Sequence, residues 1–252
     1  MTQTPDPRCD GVVLAGGRGR RFGRPKASVR IGHQTLVERA VDALRARCRR
    51  VVVVARFDTS LPTLDVPVVY DEPGPPSGLV GILSGLRVVD APRVAVLGCD
   101  VLPAAPLLDR VLDPAGDGNR AAADVHGLQP LCARYERRDA MAAAEAMLGR
   151  GELRLRAFTD ALAVTAVPAQ EGELRNVNTW IDGLAAALDV PAPSAEAVDA
   201  ILDLTRVVAH GTERTNGPLA SFLAGYLAAR SGDSLEAIRA VTDRAQQLID
   251  AG

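Results

Sequence analysis

A glycine-rich loop with clustered cations, residues 16–26, is the part of the sequence best suited to chemistry. It follows a short apolar run, 11–15, that is typical of a buried strand. Four arginines and Lys26 fall within the nine residues after Gly17. Glycines let backbone N–H groups approach a ligand closely, and arginine and lysine attract phosphate oxygens. The loop therefore predicts a binding site for a triphosphate.

The spacing within the loop excludes two commoner phosphate-binding motifs. A P-loop places its lysine directly after a glycine, whereas Lys26 follows Pro25. A dinucleotide-binding loop has the spacing G-x-G-x-x-G, and here Gly17, Gly19 and Gly23 put the third glycine one residue too late. The loop therefore belongs to another class of nucleotide site.

The surrounding elements are predicted to bring this loop together with two aspartates. The strand patterns cover 11–15, 51–55, 66–70 and 93–98, and the helical patterns cover 36–47 and 79–89. This alternation is typical of a parallel α/β sheet, whose ligands bind beyond the carboxyl ends of the strands. Asp71 follows the third strand and Asp100 the fourth. The loop, Asp71 and Asp100 are therefore expected in one site.

The rest of the chain is predicted to complete this domain and then to form a small helical one. Its patterns indicate a helix at 105–112, a hairpin of 120–126 and 128–134, a helix at 135–148 and a strand at 161–167. After a linker at 191–194 the sequence is helical, with Pro218 expected to start one helix and Gly232 to stop it. The predicted domains are 1–180 and 181–252, with a helix after Trp180 assigned to the second.

Composition and charge limit the class of protein. The 252 residues are 47% hydrophobic and 24% charged, as in soluble globular proteins, and the net charge of −2 argues against a nucleic-acid-binding protein. No apolar run approaches the ~18 residues that cross a bilayer, and the N-terminal residues lack a signal-peptide pattern. Four scattered cysteines predict neither a disulfide framework nor a zinc site. A cytoplasmic protein without membrane contact is expected.

The loop resembles the opening motif of the MobA-like nucleotidyltransferases, L-A-G-G-x-x-x-R-[MF]-G-x-x-K, which matches residues 14–26 without a gap. The resemblance implies a three-layer, Rossmann-like sheet of the nucleotide-diphospho-sugar-transferase type, here followed by a small all-α domain. It implies Mg²⁺-dependent transfer of GMP from GTP to the terminal phosphate of Mo-molybdopterin, with release of pyrophosphate. Molybdoenzymes or other cofactor-biosynthesis proteins are the candidate protein partners.

The resemblance also assigns roles to individual residues. It implies that Asp100 binds Mg²⁺, that Lys26 and Arg21 bind the β- and γ-phosphates, and that these three residues are catalytic. It places Asp71 near the nucleoside and Asn178 near the metal and phosphates. The implied nucleotide-binding residues are Leu14, Ala15, Gly16, Gly17, Lys26, Asp71, Gly78, Gly81, Asp100 and Asn178.

Departures from the motif leave alternatives open. The family often has an asparagine after the second strand, where this sequence has Val54 and Ala55, so a base or ribose contact is missing or supplied elsewhere. Pro25 before Lys26 is common in cytidylyl-transferring relatives. Cytidylyl transfer, transfer to a sugar phosphate, and a non-catalytic nucleotide-binding adaptor therefore remain alternatives to guanylyl transfer. The segment 210–214 resembles a small helical domain of unknown function and implies no chemistry.

Overall fold

The computed structural model describes residues 5–16, 26–31, 33–71, 76–177, 179–232 and 234–250, with only the backbone of residue 180. The chain forms two compact units that divide between Pro191 and Ala192. The predicted fold class is confirmed, because an α/β unit is followed by a helical one. No helix within the described residues is long and apolar enough to span a membrane.

The strands alternate with helices along most of the first unit. The strands are β1 (Cys9–Leu14), β2 (Arg30–Ile31), β3 (Gln34–Thr35), β4 (Val51–Ala55), β5 (Val68–Tyr70), β6 (Arg93–Gly98), β7 (Val101–Pro103), β8 (Arg120–Asp124), β9 (Gly127–Glu136), β10 (Thr165–Pro168) and β11 (Leu174–Asn176). The helices of this unit are α1 (Leu36–Arg45), α2 (Gly78–Val88), α3 (Ala105–Val111), α4 (Arg137–Gly149), α5 (Leu155–Ala161) and α6 (Trp180–Ala187). The second unit contains α7 (Ala195–Gly211), α8 (Asn216–Ser231) and α9 (Ser234–Asp250).

One mixed sheet forms the middle layer of the first unit. Its seven strands have the order β10-β8-β9-β6-β1-β4-β5, and β9 alone runs antiparallel to its neighbours. Alternate residues of the central strands fill two cores: Val13 and Val53 lie on one side, Val12 and Val52 on the other. Helices α1 and α3 cover the first side, and α2, α4 and α5 cover the second. The carboxyl ends of β1, β4, β5 and β6 therefore lie side by side.

Two local predictions are wrong. The predicted strand at 161–167 begins only at Thr165, because α5 continues to Ala161 and Ala163 turns the chain with a φ of 47°. Helix α8 starts at Asn216, two residues before Pro218, while Gly232 ends it in the left-handed conformation as predicted. In a short apolar segment, periodicity alone does not distinguish a strand from a helix, which accounts for the first error.

Helix α6 belongs to the first unit. Its Ala185 is buried, and Ala186 packs against an apolar cluster that includes Val29, Ile31 and Leu36. The division between the two units therefore falls after this helix, later in the chain than the boundary expected at 180/181.

Asp10 connects three segments at the end of the sheet opposite the strand termini named above. Its fully buried carboxylate accepts hydrogen bonds from Arg49 Nε and Nη2, both at 3.0 Å, and from the backbone N–H groups of Asp90 and Ala91. Burial alone raises the pKa of Asp10, but Arg49 and the two N–H groups more than offset it, so the pKa is lowered from the ordinary 3.8. This carboxylate stabilises the start of β1 in its ionised form.

We expect Asp10→Asn to lower the free energy of unfolding by about 2–3 kcal/mol, because a charged acceptor of four hydrogen bonds is lost. The depressed pKa means that this stabilisation is present above pH 3.8 and disappears as the pH falls through the lowered value. Urea unfolding at pH 7 and at a series of pH values below 3.8 measures both effects. The exposed pair of Asp65 with Arg45 supplies the control Asp65→Asn, and an equal loss in that variant would contradict the assignment.

Candidate active site

A cavity of about 290 Å³ opens at the carboxyl ends of β1, β4, β5 and β6. It is lined by Leu14, Gly16, Lys26, Val54, Arg56, Asp71, Pro76, Ser77, Gly78, Gly81, Cys99, Asp100 and Leu131. Seven residues of the predicted nucleotide site are among them: Leu14, Gly16, Lys26, Asp71, Gly78, Gly81 and Asp100. The structure thus brings together residues separated by more than eighty positions in the chain.

The remaining predicted residues either do not line the cavity or lie outside the described residues. Ala15 is fully buried and does not line the cavity. Gly17, Arg21 and Asn178 lie outside the described residues. The backbone N–H of Val177 donates to the Asp100 carbonyl at 2.8 Å, so the residue before Asn178 is held at the cavity.

Lys26 and Asp100 form an ion pair within the cavity. Lys26 begins a 3₁₀ turn, Lys26–Ser28, which is anchored by the fully buried Ala27. Its Nζ lies 2.8 Å from Asp100 Oδ2, and both side chains are largely withdrawn from solvent. Asp100 follows β6, whose apolar residues are buried within the sheet. The pair places a cation and a carboxylate at one point, as binding of a metal-bound triphosphate requires.

Asp71 supplies a second carboxylate to the cavity. It follows β5, and its Oδ1 is buried with no hydrogen-bond partner among the described residues. Burial raises the pKa of Asp71, while the charge of Arg56 and a hydrogen bond with Ser84 lower it in part. A Cβ on Gly81 would lie 3.6 Å from this oxygen, so the glycine leaves room next to it. A buried acceptor without a donor is costly, which favours an N–H or O–H donor of a ligand here.

Arg56 is a cavity residue that the sequence analysis missed. It follows β4 directly, and its Nε donates to Asp58 Oδ1 at 3.1 Å. A Cβ on Gly16 would come within 3.2 Å of Arg56 Cγ, so the glycine allows the arginine stem to pass close to it. Its position after the second strand of the sequence was the available signal. Arg56 therefore lies beside Val54 and Ala55, where the asparagine of the family motif is absent.

The amino end of α2 forms another wall of the cavity. Ser77 caps this helix by accepting a hydrogen bond from the Leu79 backbone N–H at 3.1 Å. The helix lies close to the sheet because Gly85 has no side chain: a Cβ there would come within 2.5 Å of Val12 Cγ1. Gly78 and Gly81 of the first turn of α2 line the cavity, so the positive end of the helix dipole, which favours anions, lies at this wall.

The residues present fit a magnesium ion that is completed by phosphate oxygens. The described residues contain no cluster of three or more His, Cys, Asp or Glu side chains able to enclose a metal. Asp100 and Asp71 nonetheless line the same cavity, and Mg²⁺ commonly binds one or two protein carboxylates together with substrate phosphates and water. Of the two, Asp100 is the better placed to bind the ion, since Lys26 lies next to it and can bind the same phosphates.

Comparison with known proteins agrees with this geometry. Residues 11–166 match the family described as MobA-like NTP transferase domain, and residues 172–252 match a domain of unknown function, DUF6457. A Chloroflexus aggregans protein named probable molybdenum cofactor guanylyltransferase is 36% identical over 160 residues, covering 60% of this chain and 76% of that protein. A Mycobacterium tuberculosis H37Rv protein of the same name is 35% identical over 177 residues, covering 67% of this chain and 88% of that protein.

A solved structure shares the fold. The crystal structure of molybdopterin-guanine dinucleotide biosynthesis protein A from Archaeoglobus fulgidus has a TM-score of 0.58 at 19% identity, covering 71% of this chain and 97% of that one. The family match, 11–166, includes every residue that lines the cavity. The resemblance inferred from the glycine-rich loop is confirmed: this chain belongs to the MobA-like NTP transferase family and is a nucleotidyltransferase.

Proposed function

We propose that this chain transfers GMP from GTP to the terminal phosphate of Mo-molybdopterin, releasing pyrophosphate. The observation that carries the proposal is the cavity in which the Lys26–Asp100 pair lies together with the buried Oδ1 of Asp71. The names of the relatives support guanine as the base and molybdopterin as the acceptor. The cytoplasmic location and the molybdoenzyme partners expected from the sequence are part of the same proposal.

In this proposal the protein acts mainly by positioning and by charge. Lys26, together with Arg21 of the glycine-rich loop, binds the β- and γ-phosphates and favours departure of pyrophosphate. Backbone N–H groups of Gly16 and Gly17 bind phosphate oxygens. Such fixed donors lower the barrier because they need no reorganisation as charge develops. Asn178 is assigned to the phosphates and metal.

Asp100 is the residue that would hold Mg²⁺. When bound, the ion supplies positive charge to the reacting phosphate oxygens. The Asp100 carboxylate is already 2.8 Å from the Lys26 ammonium, so the protein holds its own cation and its metal ligand at the same place. Asp71 lies in the same cavity and is assigned to the nucleoside, with Gly78 and Gly81 beside it.

Arg56 and Asp71 support guanine as the preferred base. Arg56 offers N–H donors to the cavity, and Asp71 offers an acceptor, Oδ1, that has no donor among the described residues. Guanine presents O6 and N7 as acceptors, which arginine binds with two parallel hydrogen bonds, and its N1–H and N2–H groups are donors that suit a carboxylate. In this proposal Arg56 supplies the base contact that Val54 and Ala55 do not.

We expect Arg56→Ala to reduce the preference for GTP over CTP about 10- to 100-fold, the value of one bidentate contact to a base. Arg56→Lys keeps the charge but loses the bidentate geometry, so it should recover little of the preference for GTP. Competition between the two nucleotides, measured as the ratio of kcat/KM values, gives the result. Arg45→Ala removes an exposed arginine of α1 as the control, and an unchanged ratio in Arg56→Ala would exclude a base contact.

The reaction type is tested with labelled GTP. With Mg²⁺ and Mo-molybdopterin, label at the α-phosphate should move into the acceptor, and label at the γ-phosphate should leave as pyrophosphate. Transfer of the γ-label to the acceptor would instead indicate a phosphotransferase and would overturn the proposal.

A further inference from the structure

Helix α8 of the second unit turns its large apolar side chains outward. Small residues face the other two helices: Ala224 is fully buried, Gly217 lies against Thr205, and Ser221 Oγ is 3.0 Å from Thr205 Oγ1. The opposite face carries the α8 stripe, which consists of Leu219, Phe222, Leu223 and Tyr226, exposed by 61%, 71%, 58% and 59%. This is the reverse of an ordinary surface helix, whose large apolar residues face the core.

The core of the second unit is small. Its buried apolar residues are Ala197, Leu204, Val208, Ala224, Ala237 and Ile238, of which three are alanines. A unit of about sixty residues obtains little stability from such a core, and natural domains of this size commonly gain more by association. The exposed α8 stripe holds more large apolar side chains than α8 contributes to the core.

The sequence of α8 makes the stripe suitable for an apolar partner only. Residues 216–229 contain no charged side chain, and Arg230 is the first after them. A helix that is apolar on all sides is normally buried. Gly225 is also exposed, with open space where a Cβ would be, although glycine within a helix is unfavourable relative to alanine. An exposed glycine beside the stripe permits close approach of a second helix.

We propose that the α8 stripe is a dimer interface with a second copy of this chain. Pairing of two antiparallel α8 helices about a twofold axis places Leu219 of each copy near Tyr226 of the other, with Phe222 and Leu223 at the axis. Parallel pairing would put the two Arg230 side chains together, whereas antiparallel pairing separates them. An uncharged linear stripe with its bulky residues centred on the axis is complementary to itself.

The exposed area is sufficient for this association. Aromatic side chains bury about 150–250 Å² when fully covered, so Phe222 and Tyr226 at their observed exposure, together with the two leucines, offer at most roughly 500 Å² per copy. Two copies together reach about 1,000 Å², the lower bound of a specific interface, before any flanking residue is counted.

The mass of the full chain in solution tests the proposal. Light scattering over a hundredfold range of concentration should give a species of twice the chain mass of 26.5 kDa at the upper end. Leu223→Glu should reduce it to the monomer at all concentrations, because each dimer would bury two carboxylates at its axis. Leu248→Glu, an equally exposed leucine on α9, is the matched control and should remain dimeric. A monomeric parent chain, or a dimer that survives Leu223→Glu, would overturn the proposal.

A crosslink tests the pairing without a destabilising charge. The four native cysteines, Cys9, Cys48, Cys99 and Cys132, are all buried. A cysteine introduced at the surface is therefore the accessible thiol among the described residues. Leu223→Cys should form a disulfide between copies on mild oxidation, with transfer of two electrons to the added oxidised glutathione and loss of two thiol protons. Leu248→Cys should not, and equal crosslinking of the two variants would contradict antiparallel pairing through α8. Both variants should keep the helical signal in circular dichroism.

Discussion

Asp100→Asn is expected to lower the rate of nucleotidyl transfer on the order of 10³-fold, the largest effect of any single substitution considered. The change keeps the shape of the side chain but removes the charge that pairs with Lys26 at 2.8 Å and that would bind Mg²⁺. Because Asp100 follows the buried strand β6 and lies at the rim of the cavity, the fold should be retained. The rate of pyrophosphate release under saturating substrates measures the effect.

Two comparisons make this result specific. Asp65→Asn removes an exposed carboxylate that pairs with Arg45 and does not line the cavity, so it should leave the rate unchanged. Nucleotide binding in the absence of metal should survive Asp100→Asn, since the N–H groups and Lys26 remain. If Asp100→Asn instead kept the full transfer rate, the assignment of Asp100 as metal ligand would be wrong. If the parent chain bound nucleotide without turnover, the adaptor alternative would gain support.

Lys26→Met is expected to reduce kcat/KM for the nucleotide on the order of 10²-fold, because a fixed positive charge at the triphosphate is lost. Lys26 is the sole lysine in the sequence, and every other basic residue of the Lys+Arg total is an arginine. An ammonium is a compact point charge, whereas a guanidinium is broad and planar. Lys26→Arg should therefore recover only part of the activity.

The uniqueness of Lys26 allows a chemical test with the unmodified sequence. An acylating reagent specific for amines can modify only Lys26 and the chain terminus. GTP should protect Lys26 from modification, and modification at this residue should abolish transfer in proportion to its extent. Modification at the same rate with and without GTP would contradict contact between Lys26 and the triphosphate.

Much of the site followed from the sequence because it depends on local order. A residue that follows a parallel strand lies at a carboxyl end of the sheet, so Asp71 after β5 and Asp100 shortly after β6 could be placed without a structure. Helix α1 likewise begins at Leu36, where the helical pattern of the sequence begins, and the structure shows a capping box of Thr35 and Glu38 there. Arg56 was missed, since its entry into the cavity depends on its passage close to Gly16, a contact across forty residues.

The outward stripe of α8 also could not be predicted. Its apolar residues have helical spacing, which indicates a helix but does not say which face meets the core. Here the small residues Gly217, Ser221 and Ala224 provide the contacts with the other helices. Which face of α8 meets the core is decided by how closely the three helices pack, and that is a property of the assembled unit.

One competition experiment tests the central claim most directly. The purified chain is given Mg²⁺, Mo-molybdopterin and equal amounts of GTP and CTP, and the products are identified by mass spectrometry. We predict the guanine dinucleotide of the cofactor together with pyrophosphate, and little cytosine product. A predominantly cytosine product would contradict the base assignment, and the absence of any dinucleotide from a chain that binds GTP would contradict the acceptor.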